Sequence, residues 1–90
     1  MKRCLIHVYG RVQGVGFRYF TERLAQKYKV TGTVRNVADY VEVIAQADNA
    51  DLDPFVNAVI HGASPASSVT NYHIETLDID PTLKKFTVLA

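Results

Sequence analysis

Three glycines in seven residues, Gly10-Arg11-Val12-Gln13-Gly14-Val15-Gly16, separate two stretches of different periodicity. Before them, Cys4-Leu5-Ile6-His7-Val8-Tyr9 is a short β-branched and aromatic run, predicted as a first strand. After them, Phe17, Phe20, Leu24 and Tyr28 recur at helical spacing, with Arg23, Gln26 and Lys27 between. Neither pattern survives three glycines, so the segment is predicted as a loop that turns a strand into a helix. The helix is predicted to stop near Tyr28, because Val30 and Thr31 are β-branched and Gly32 breaks it.

Beyond Tyr28, Thr31 to Asn36 and Val41 to Ala47 read as strands, with Val37-Ala38-Asp39-Tyr40 turning between them as a hairpin. Asn49 or Asp51 is predicted to cap a second helix with Leu52, Phe55, Val56, Val59 and Ile60 as its apolar stripe. Pro54 is expected in the first turn and Gly62 at the stop. A long extended stretch from Ser68 to Leu77 follows, and Phe86-Thr87-Val88-Leu89 could close the sheet as a short fifth strand. The order β-α-β-β-α-β is that of an α+β, ferredoxin-like sandwich: an antiparallel sheet with two helices on one face and the other face more exposed. Many functions use this fold, so function has to come from the residues.

A chain of 90 residues has room for one core, so residues 1–90 are read as a single domain with a radius of gyration near 12 Å. Nearly half the residues are hydrophobic (48%) and 21% are charged, which excludes disorder. No apolar window is long enough to cross a membrane, and Met1-Lys2-Arg3-Cys4 opens no signal peptide, so no membrane partner is expected. A single cysteine, Cys4, excludes an internal disulfide framework and any multi-cysteine metal site and points to the cytoplasm. Charge is uneven: residues 1–35 carry a net +7 and residues 36–90 a net −6. Any anion-binding function is therefore expected in the first third, unless the two halves simply offset each other as surface charge.

The glycine loop suits an anion. Gly14 and Gly16 permit positive φ and close backbone approach, and the following helix adds the partial positive charge of its N-terminus. Arg18, in the first helical turn, offers a planar fork for two phosphate oxygens. Three other phosphate or nucleotide loops fail on the residues. No lysine follows Gly14 or Gly16, as a triphosphate loop needs. Tyr19 stands where a dinucleotide loop needs its third glycine. Gln13-Gly14-Val15-Gly16-Phe17-Arg18-Tyr19-Phe20 shares glycines and aromatics with an RNA-recognition signature, but sits at a loop–helix junction and not on a sheet strand.

Tyr9-Gly10-Arg11-Val12-Gln13-Gly14-Val15-Gly16-Phe17-Arg18 resembles the first signature of the acylphosphatases. Gly32-Thr33-Val34-Arg35-Asn36 followed by Val41-Glu42-Val43 resembles their second, at the family's separation. The resemblance implies hydrolysis of acyl phosphates to a carboxylate and inorganic phosphate, with no cofactor and no metal. By matching position it makes Arg18 the phosphate-binding arginine and Asn36 the residue that orients the attacking water. Backbone amides of Gln13, Gly14, Val15, Gly16, Phe17 and Arg18 would cradle the phosphoryl oxygens, with phosphate or sulfate as simple ligands. Two departures stand out. The hairpin Asn36-Val37-Ala38-Asp39-Tyr40-Val41-Glu42 is one residue shorter than the family's usual Asn-x-x-Asp-Gly-x-Val-Glu and lacks its glycine, and the last strand ends without the family's arginine.

The remaining chemistry-bearing residues read as structural. His7, His61 and His73 lie on different elements, too far apart in sequence for a metal site. Cys4 reads as a packing residue, and Tyr9, Tyr19 and Tyr28 as core-edge residues. Asp39, Asp51, Asp53, Asp78 and Asp80 suit turns and caps. Arg11 reads equally as the mouth of the anion site or as surface charge. The expectation is a monomeric cytoplasmic acylphosphatase with a small-molecule substrate and no nucleic-acid partner; a non-catalytic anion- or RNA-binding module of the same fold is the alternative.

Overall fold

The sheet's two faces are set by the alternation along its first strand. In a computed structural model describing residues 1–90, Lys2–Arg11 form β1. Cys4, Ile6 and Val8 are buried on one side, while Leu5, His7 and Tyr9 take the other, as a period of two requires. The order continues as α1 (Phe17–Tyr28), β2 (Thr31–Val37), β3 (Tyr40–Ala47), α2 (Asn49–Ile60), β4 (Ser68–Leu77) and β5 (Phe86–Val88). The expected β-α-β-β-α-β sandwich is present, with a radius of gyration of 11.7 Å.

The strand order is β4-β1-β3-β2-β5. β1 pairs antiparallel with β3 and β4, and β2 antiparallel with β3. β5 runs parallel to β2, aligning Phe86 with Gly32 and Val88 with Val34, so the sheet is mixed where an antiparallel one was expected. The chain between β4 and β5 has to cross the sheet to reach β2. Buried Gln46 holds that crossing through a reciprocal pair: its Nε2 donates to Asp80 O (2.9 Å), and Asp80 N donates to its Oε1 (2.8 Å). The helix-covered face carries one core, in which Ile6, Val8, Val34, Val41 and Val43 meet Phe17 of α1 and Leu52, Phe55 and Val59 of α2.

Several local expectations shift. Gly10 and Arg11 belong to β1 and not to the loop: Gly10 sits at a register shift with φ 121°, where a Cβ would collide with Ser68 O. Arg11 pairs with Ser68 at the strand end. The buried line of α1 is Phe17, Thr21 and Ala25, with Leu24 and Tyr28 beside it. Lys29, in the left-handed region at φ 56°, ends that helix, its N–H bonding Ala25 O. Gly32, expected as the breaker, lies within β2, where a Cβ would overlap the carbonyl of Ile44. α2 starts earlier than expected: Asp48, not Asn49 or Asp51, is its N-cap, without a side-chain cap bond. Pro54 therefore stands past the first turn.

Candidate functional site

Val12 to Gly16 form the loop between β1 and α1. Its apolar residues are anchors: Val12 is buried, and Val15 packs against the core. Gln13, Gly14 and Gly16 are left facing outward. Gly14 (φ 72°) and Gly16 (φ 77°) are both left-handed, and Gly16 is the N-cap of α1. A Cβ at Gly14 would meet nothing within 4 Å, so backbone conformation rather than crowding selects glycine there. The loop delivers Arg18 to the second position of the helix.

Asn36 arrives from the sheet. Along β2, Gly32 and Val34 are buried on the helix side, and Asn36 continues that alternation at the strand's end. It is thus carried to the same rim as the loop. Gln13, Gly14, Gly16, Phe17, Arg18 and Asn36 line one groove of about 660 Å³. Of the residues expected there, only Val15 is missing from the lining, its side chain being committed to the core. Arg11 does not line it either.

Arg18 is half-exposed and makes no ion pair. Its Nη1 donates to Leu89 O at 2.9 Å, and Leu89 N donates to Val34 O at 2.8 Å. The last residues of the chain therefore tie the guanidinium to β2. A neutral carbonyl takes one of five donors and leaves the positive charge unpaired. Gln13 makes a second tie: its Nε2 donates to Ala38 O and to Tyr40 O, both at 3.0 Å.

Sequence reasoning missed seven groove residues: Val12, Tyr19, Glu22 and the four from Lys85 to Val88. Lys85 and Thr87 are brought in by the parallel docking of β5, which no local pattern announces. Glu22 follows from helical spacing, four residues after Arg18, whereas Tyr19, which reads from sequence as a core-edge residue, is 55% exposed. The side-chain role of Gln13 was also missed.

On the opposite, open face lies a separate cluster. Arg35 Nε donates to Glu42 Oε2 (2.8 Å), and His7 Nε2 lies 3.1 Å from Glu42 Oε1. Burial pushes the Glu42 carboxyl up, but hydrogen bonds and charge from Arg35 and His7 outweigh it and hold the group below the usual glutamate value. His7 and His73 face each other across β1 and β4 with ring centroids 6.3 Å apart. Cys4 is buried and free, and burial raises its thiol pKa.

The sequence profile of the acylphosphatases matches residues 4–88. The chain belongs to the acylphosphatase family. An acylphosphatase of Staphylococcus aureus strain Newman is 54% identical over 86 residues, spanning 96% of this chain and 97% of that one. The crystal structure of acylphosphatase from Bacillus subtilis superposes with a TM-score of 0.93 at 40% identity and full coverage of both chains (100%). An acylphosphatase structure from Coxiella burnetii gives a TM-score of 0.90 at 26% identity, covering 98% of this chain and 92% of that one. The chain is accordingly an acylphosphatase, an enzyme that hydrolyses acyl phosphates. No helix in it is long and apolar enough to cross a membrane.

Proposed function

We propose that this acylphosphatase works without metal, by in-line attack of a water held by Asn36 on a phosphoryl group gripped by Arg18 and the amides of the Gln13–Arg18 loop. The observation that carries the reading is the shared groove: Arg18 and Asn36, from different elements, line it together with Gly14 and Gly16. Left-handed Gly14 and Gly16 let successive amides turn toward one anion, and the N-terminus of α1 adds its dipole.

The chemistry asks little more of the protein. The P–O bond breaks toward a carboxylate whose acid has a pKa of about 4, so it departs without a proton and needs no general acid. A loose phosphoryl-transfer transition state is stabilised by positioning and by charge on the equatorial oxygens. Arg18 and the amides supply the charge. The water donates a hydrogen bond to the Asn36 carboxamide, which is too weak a base to take the proton; the proton goes to a phosphoryl oxygen. The products are carboxylate and inorganic phosphate. A cytoplasmic, monomeric enzyme acting on a small acyl phosphate completes the proposal, supported by one buried, unpaired cysteine.

The test is phosphate release from acetyl or benzoyl phosphate in excess chelator. Full activity is expected, and metal dependence would refute the proposal. Arg18→Ala should lose about three orders of magnitude in kcat/KM and weaken inhibition by inorganic phosphate.

A further inference from the structure

The groove's two halves are joined by one side chain. Gln13 Nε2 gives both of its hydrogens to the hairpin turn, to Ala38 O and Tyr40 O, each at 3.0 Å. No other side chain hydrogen-bonds residues 37–40. The turn is held against its own preference: Val37 pairs with Tyr40, leaving a two-residue link in which Ala38 takes φ 51°. A non-glycine residue in that region costs about 1–2 kcal/mol. Next to Gln13, Val12 is buried, so the amide reaches the turn from a fixed base.

Asn36 has no partner of its own. Its carboxamide makes no hydrogen bond within the protein, so its aim comes from the backbone at the end of β2. That backbone is continuous with the turn Gln13 holds. An in-line attack is sensitive to displacements well below about 1 Å.

We infer that the Gln13 side chain is a positioning residue, which aims Asn36 by clamping the Ala38–Tyr40 turn to the phosphate loop. This role rests on the water-orienting reading of Asn36 and is separate from the Gln13 backbone amide in the cradle. Removing the side chain leaves that amide in place, so catalysis and phosphate binding should separate.

The experiment is a double-mutant cycle on Gln13→Ala and Asn36→Ala, reading kcat, KM and inhibition by inorganic phosphate. Gln13→Ala should lower kcat about tenfold and move the phosphate inhibition constant less than about twofold. In the Asn36→Ala background the same change should alter kcat less than about twofold, because the group it aims is gone. Gln13→Met, of similar length but with neither donors nor charge, should match Gln13→Ala; it also serves if the alanine variant does not fold. An unchanged kcat, an equal loss in both backgrounds, or a loss confined to phosphate affinity would each overturn the inference. If Asn36→Ala alone kept its kcat, the water-orienting reading would fail first, and that outcome is distinct from a silent Gln13.

Discussion

Arg18 and Asn36 reach the groove by different physical routes, and substitution should separate their roles. Arg18 is a charge whose direction is set by its bond to Leu89 O, whereas Asn36 is a neutral amide with no protein partner. Asn36→Ala should therefore lower kcat by about 3–4 kcal/mol of transition-state stabilisation while leaving inhibition by phosphate largely intact; steady-state kinetics with phosphate as inhibitor checks this. The glycines differ in the same way. Gly14→Ala meets only an unfavourable φ, in open space, and should cost about 1 kcal/mol. Gly32→Ala drives a methyl into the Ile44 carbonyl and should cost several times more, or prevent folding. Urea unfolding of the two variants makes the comparison. From sequence the two are indistinguishable, since the clash at Gly32 exists only once β2 has paired with β3.

At the scale of elements, each helix and strand was legible, but several of its ends were not. The helical spacing of Phe17, Phe20, Leu24 and Tyr28 announces α1, yet the buried line runs through Phe17, Thr21 and Ala25. Thr21 and Ala25 are buried although neither is a large apolar residue, and hydrophobic spacing alone does not see that. The helix does stop at Tyr28, as the sequence predicts, but its end is the left-handed cap at Lys29 and not Val30, Thr31 or Gly32. Lys29→Gly removes that strain and should raise stability by up to about 1 kcal/mol, measured as the urea midpoint at constant slope. The start of α2 was placed too late because Asp48 caps with its backbone carbonyl, which accepts from Asp51 N and Leu52 N, and not with its carboxylate.

Over the whole molecule, the two oppositely charged halves of the sequence are folded into one sheet. β1, from the basic third, lies between β4 and β3, from the acidic remainder, so the halves interleave in the sheet. On the open face this interleaving makes the Arg35–Glu42–His7 cluster, which spans three strands. Its consequence is acid sensitivity. Glu42 binds its proton more weakly folded than unfolded, so its contribution to stability is present above the usual glutamate value and is lost as pH falls through it toward the lower folded value. Glu42→Gln should lower stability at neutral pH and flatten its decline below about pH 5, read from urea unfolding across the pH series.

What the sequence determined by itself is whatever depends on neighbours along the chain. That covers the strand–loop–helix switch at the glycines, the two helical stripes, the hairpin, and through two motifs the family and its candidate residues. Tertiary structure decided what depends on residues distant in sequence: the parallel docking of β5 that brings Lys85 and Thr87 to the groove, the meeting of His7 with His73, and the clamp of Gln13 on the hairpin turn. Local patterns record which face of an element is apolar and where the backbone must bend. They carry no record of which edge a short strand will choose, because that choice is made by the shape of a core that does not exist until the other elements have packed.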